Sequence, residues 1–133
     1  MLVNPGIAAL LGLLQNDLVV IGSVARKDKV PSDLDIWIHC DGFIRGESRY
    51  DIYRKIIKDS KLRFHSIYPM SWSFSADDHP PTQVELIGTP NIDAPFAKVR
   101  KLARLENFGF IQLPVAPPEY AGTSTKRSNV HSK

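Results

Sequence analysis

Two stretches of strand character stand only eleven residues apart, at 22–32, and a Gly-Ser step opens that interval. The first, Leu18-Val19-Val20-Ile21, is a continuous apolar run rich in β-branched residues, the pattern of a short strand covered on both faces. The second, Asp33 to Ile38, alternates with period two: Leu34, Ile36 and Ile38 share one face, and Asp33, Asp35 and Trp37 share the other. Lys27 to Pro31 between them is polar and turn-like, and Pro31 makes it unsuited to continue a helix.

The rest of the chain places helices and strands around this pair. Asn4-Pro5-Gly6 starts a helix on which Ile7, Leu10, Leu11 and Leu14 recur at helical spacing. An amphipathic helix is expected from about Glu47 to Lys61, with Tyr50, Tyr53 and Ile57 on one side. Extended pieces are expected at Arg63–Tyr68, Ser71–Phe74 and Gln83–Ile87, with Asp77–Pro81 as a polar loop. Asp93 is placed to cap a last helix with Pro95 in its first turn, and Gly109 to end it. On that helix Lys98, Arg100, Lys101 and Arg104 form a basic side, read as a solvated face with nucleotide or RNA contact as the alternative. From Pro114 onward three prolines among Ser, Thr, Lys and Asn leave little to bury. The expected division is therefore one domain over 1–113 and an extended or mobile tail over 114–133.

A chain of 133 residues with 43% apolar and 23% charged residues suits one globular domain. Its excess charge of +3 is uneven: residues 1–97 carry ten basic and twelve acidic side chains, and 98–133 carry seven and two. The single Cys40 excludes an intrachain disulfide and a cysteine-clustered zinc site. The longest apolar run, Ile7 to Leu14, is too short to span a membrane and lacks the flanks of a signal peptide, so a cytoplasmic protein without membrane association is expected.

The chemistry concentrates between Val20 and Trp37. Glycine after a buried strand permits close backbone approach, and N–H groups and the Ser23 hydroxyl at a helix start can hold phosphate oxygens. Asp33 and Asp35, at i and i+2 on a strand, leave the same face and can converge on divalent cations. A phosphate cradle opposite a carboxylate pair suits metal-assisted phosphoryl or nucleotidyl transfer. Taken singly, a Gly-Ser step is an ordinary turn and Asp-x-Asp an ordinary solvated pair; their spacing is what joins them. His39, His65 and His79 lack metal-ligand spacing, and Trp37 is read as core, with base stacking as the alternative.

Ile21-Gly22-Ser23, nine residues, and Asp33-Leu34-Asp35-Ile36 resemble the hallmark of the nucleotidyltransferase superfamily typified by DNA polymerase beta. Arg26 and Ser32 also match small stand-alone members, whereas Lys27 stands where many have glycine. The resemblance implies an α/β (α+β) nucleotidyltransferase fold: a small mixed β-sheet with helices packed mainly on one face and the site on the opposite, open side. It implies transfer of a nucleoside monophosphate from an NTP to an acceptor hydroxyl or phosphate with release of pyrophosphate. Gly22, Ser23 and Arg26 would bind the nucleotide. Asp33 and Asp35 would hold two Mg2+ ions, with Mn2+ as a substitute. The family's third carboxylate is best matched by Glu85, which shares its strand face with Gln83 and Ile87, in preference to the loop residues Asp77 and Asp78. The acceptor (small molecule, RNA or protein) is not readable from the chain. Small members also serve as antitoxins that modify a helical HEPN-type partner. An inactive nucleotide- or RNA-binding module of the same fold is a further alternative, and a homodimer the simplest association.

Overall fold

The computed structural model describes residues 1–28, 33–60, 62–67, 71–76, 80 and 82–122, with backbone alone at 63–67. Helix α1 spans Pro5–Leu13, and the Asn4 side chain caps it by accepting from the Gly6 N–H at 2.8 Å. One 3-10 turn leads into β1 (Leu18–Ile21), which runs straight into a single helical turn, α2 (Gly22–Ala25), and then to β2 (Leu34–Ile38). A two-stranded hairpin, β3 (Phe43–Ile44) and β4 (Glu47–Ser48), precedes α3 (Arg49–Asp59), capped by Ser48. Strands β5 (Arg63–Ile67), β6 (Ser71–Ala76) and β7 (Thr82–Ile87) follow, then α4 (Phe96–Leu102), β8 (Arg104–Asn107), β9 (Gln112–Val115) and a last 3-10 turn at Pro118–Tyr120.

Seven strands form one mixed sheet in the order β5-β6-β7-β2-β1-β9-β8. β2 is antiparallel to β1 and parallel to β7, and β9 is parallel to β1. One face carries Leu18, Val20, Leu34, Ile36, Val84, Leu86, Trp72 and Phe74, all buried. Helix α3 lies on this face, where Tyr50 stacks on Trp72 with ring centroids 5.5 Å apart, and α1 contacts α3. Helix α4 lies on the other face, with Phe96 edge-on to Trp37 at 5.3 Å. This is the expected mixed α/β class. Among the described residues no helix is long and apolar enough to cross a membrane.

The chain after Asp93 departs from expectation. The last helix starts after Pro95 rather than at an Asp93 cap and ends at Leu102. Arg104 then enters a strand, and Gly109, at φ +96°, sits in the turn between β8 and β9. The boundary expected at residue 113 falls inside β9, and the first part of the expected tail is folded. Ala116 donates its N–H to the Val20 carbonyl at 2.9 Å, and Val115, Ala116 and Ala121 are buried. Proline fits here because Pro114 occupies a ladder position from which no N–H is required. Residues 123–133 of that expected tail lie outside the described residues.

Candidate functional site

The sheet register brings two of the three expected carboxylates, Asp35 and Glu85, together. Asp35 lies opposite Ile21 on β1 and opposite Glu85 on β7. Opposed residues share a face, and neighbouring strands are about 4.8 Å apart, so Asp35 and Glu85 stand side by side on the face away from α3. Asp33 is exposed at the entry to β2. On the far side of Glu85, Ser73 is its cross-strand partner on β6, and the Ser71 hydroxyl donates to Glu85 Oε2 at 2.8 Å. Ser71 was not a sequence candidate. The alternation of Ser71, Ser73 and Ser75 with Trp72 and Phe74 shows the polar face of a strand, but not that its hydroxyls meet Glu85.

Asp35 is only 4% exposed. Burial, then the nearby Glu85 and Asp33 charges, push its pKa from 3.8 up to about 7, against a lowering by Arg26. It belongs to none of the three ion pairs among the described residues. Gly22 explains how so bulky a group fits beside the β1–α2 turn. Its φ is +73°, and a Cβ there would lie 2.5 Å from Asp35 Oδ2. Only glycine satisfies both the backbone and the contact. Ser23, next in the turn, is buried.

Two expected phosphate contacts are committed elsewhere. The Gly22 N–H donates to the Ala121 carbonyl at 3.0 Å, so it is not the open donor the motif suggested. Arg26 donates from Nη1 to the Gly122 carbonyl at 2.7 Å and from Nη2 to Asp28 Oδ2 at 3.2 Å. The same chain end that completes the sheet thus closes over the β1–α2 turn.

Beyond Trp37, on the same sheet face, lies an open cavity of about 800 Å3 lined by Trp37, His39, Phe96, Arg100 and Lys101 among others. His39 stacks on Phe96 with ring centroids 5.0 Å apart, a packing role in keeping with its lack of metal-ligand spacing. At its rim Asp17 accepts from Arg49 Nη1 at 2.5 Å and from the Tyr53 hydroxyl. The basic residues expected along one helix face diverge. Lys98 lies 5.5 Å from the Tyr120 ring centroid, Arg100 Nη2 donates to the Gln15 carbonyl at 3.1 Å, and Arg104 belongs to β8. The loop acids Asp77 and Asp78, and His79, lie outside the described residues.

Among the described residues no three His, Cys, Asp or Glu side chains are gathered closely enough to hold a metal ion as they stand. The donor chemistry of Asp33, Asp35 and Glu85 nevertheless fits a hard divalent cation: all three offer carboxylate oxygens, with no thiolate or imidazole among them. Burial first, and then the Glu85 and Asp33 charges, raise the Asp35 pKa, and a cation bound there would oppose that rise. In protein-family models, curated proteins and solved structures, the chain finds no match.

Proposed function

We propose that this chain is a nucleotidyltransferase of the DNA polymerase beta-like type, moving a nucleoside monophosphate from an NTP to an acceptor. The observation that carries the reading is the juxtaposition of Asp35 with Glu85 on parallel neighbours, with Asp33 two residues upstream and Gly22 against the Asp35 carboxylate. Asp33, Asp35 and Glu85 would hold Mg2+, or Mn2+ in its place. When bound, such ions neutralise phosphate oxygens and activate the attacking oxygen. Gly22 lets Asp35 Oδ2 come up against the β1–α2 turn, the buried Ser23 is the next residue of that turn, and Arg26 adds a positive charge that partly offsets the rise in the Asp35 pKa. Ser71 fixes one oxygen of Glu85 and so orients the other.

The inactive binding module has one observation in its favour: the Gly22 N–H and the Arg26 guanidinium already serve residues 121 and 122. The antitoxin reading stays within the same chemistry and differs only in its acceptor, a HEPN-type protein. The test is incubation with each α-labelled NTP and Mg2+, with and without cellular RNA and protein. Label transferred to any acceptor, and lost in Asp35→Asn, supports the transferase and identifies the acceptor class. No label in any fraction, with Mg2+-indifferent nucleotide binding, favours the inactive module.

A further inference from the structure

Strand β8 closes one edge of the sheet, and among the described residues only β9 is hydrogen-bonded to it. The direction of its free groups follows from its partner. Phe108 donates its N–H to the Ile111 carbonyl at 2.8 Å, and Pro114, opposite Leu105, has no N–H to give. Antiparallel hydrogen bonding alternates, so the main-chain groups of Arg104 and Glu106 face β9 and those of Leu105 and Asn107 face outward. An open edge of this kind is normally guarded in a monomer by proline or by like charges. Here the central residue is Leu105, 63% exposed, and the turn that continues the edge presents Phe110, 68% exposed.

We propose that a second copy of this chain pairs with this edge, β8 against β8, about a two-fold axis at Leu105. In that register the outward N–H and C=O of Leu105 bond reciprocally to those of the second copy's Leu105, and the two leucine side chains meet on one face. On the other face each Arg104 stands opposite the second copy's Glu106. The segment Arg104-Leu105-Glu106 is therefore self-complementary in charge when antiparallel to itself. Glu106 uses Oε2 for Lys27 at 2.5 Å, and that contact leaves Oε1 to receive the incoming arginine. A strand of sequence Arg-Leu-Arg in the same place would repel its copy.

The test is independent of catalysis: the mass of the full chain is measured by sedimentation velocity from micromolar to hundreds of micromolar. Wild type should reach twice the 14.9 kDa chain mass. Arg104→Glu and Glu106→Arg should each weaken self-association by about tenfold or more, because each places two like-charge pairs across the axis. Mixed with one another, these two variants are complementary at both pairs and should recover the dimer. Leu105→Lys, which leaves the Lys27–Glu106 pair alone, should be monomeric, and circular dichroism melts confirm that each variant is folded. A monomeric wild type across the range overturns the proposal. So does a dimer that survives both Arg104→Glu and Leu105→Lys, or a failure of mixing to restore it with both variants folded.

Discussion

Asp35 is where burial and charge oppose each other most directly, and its behaviour without metal can be worked out with sign. In the fold its carboxyl keeps its proton up to about pH 7, and in the unfolded chain it releases it near 3.8. The contribution to stability is complete below the unfolded value and is lost as pH rises through the folded one. Chelated wild type should therefore lose on the order of a few kcal/mol between about pH 4 and pH 7. Asp35→Asn should lack that component, as urea unfolding across the range would show; parallel profiles for the two proteins would contradict the buried-acid account. Gly22 is the counterpart of this group. Gly22→Ala imposes a left-handed alanine and a contact on Asp35 Oδ2, and should cost on the order of 2 kcal/mol or more in the same assay. Cys40 makes a third residue-scale case: burial, then the charges of Asp41 and Asp17, push its thiol up to about 12. A disulfide reagent should label it only after denaturant is added; rapid labelling of the native chain would show that the packing around Cys40 opens.

At the scale of elements, the C-terminal chain does more than its composition suggests. β9 lies between β1 and β8, Ala116 bonds to Val20, and Ala121 and Gly122 hold the β1–α2 turn. Truncation after Leu113 removes Val115, Ala116 and Ala121 from the core and uncovers the edge of β1. It should abolish the cooperative thermal transition, and a truncated chain melting at the wild-type temperature would show these contacts to be dispensable. The central elements were legible because their periodicity is set by burial. β1 is apolar throughout, β2 alternates, and α3 keeps Tyr53 and Ile57 at helical spacing. β8 and β9 were not legible. Arg-Leu-Glu-Asn has no apolar face of its own at an exposed edge, and a proline inside Gln-Leu-Pro-Val reads as a breaker unless its ladder position is known. The engagement of the Gly22 N–H was invisible for the same reason, since its acceptor lies 99 residues away in that unread segment.

For the whole molecule, α1 and α3 contribute to the core on one side of the sheet, and the other side carries α4 together with Asp35, Glu85, the serines of β6 and the cavity beyond Trp37. The spacing of Gly22-Ser23 and Asp33-x-Asp35 announced this region. Glu85 was reachable from strand alternation, whereas Ser71 required the register between β6 and β7. Among the described residues, Lys98 lies over Tyr120, Arg100 is tied to the Gln15 carbonyl and Arg104 belongs to β8, so these three do not form a single anion-binding face. The account rests on the carboxylates acting as one cation site, and Mn2+ tests this without knowledge of the acceptor. In an electron-paramagnetic-resonance titration the wild-type chain should remove free Mn2+ from solution, more strongly at pH 8 than at pH 5, because the ion must displace the Asp35 proton. Asp35→Asn should weaken this binding by about tenfold or more. Mn2+ binding that is absent from wild type, or unchanged in Asp35→Asn, would contradict the account.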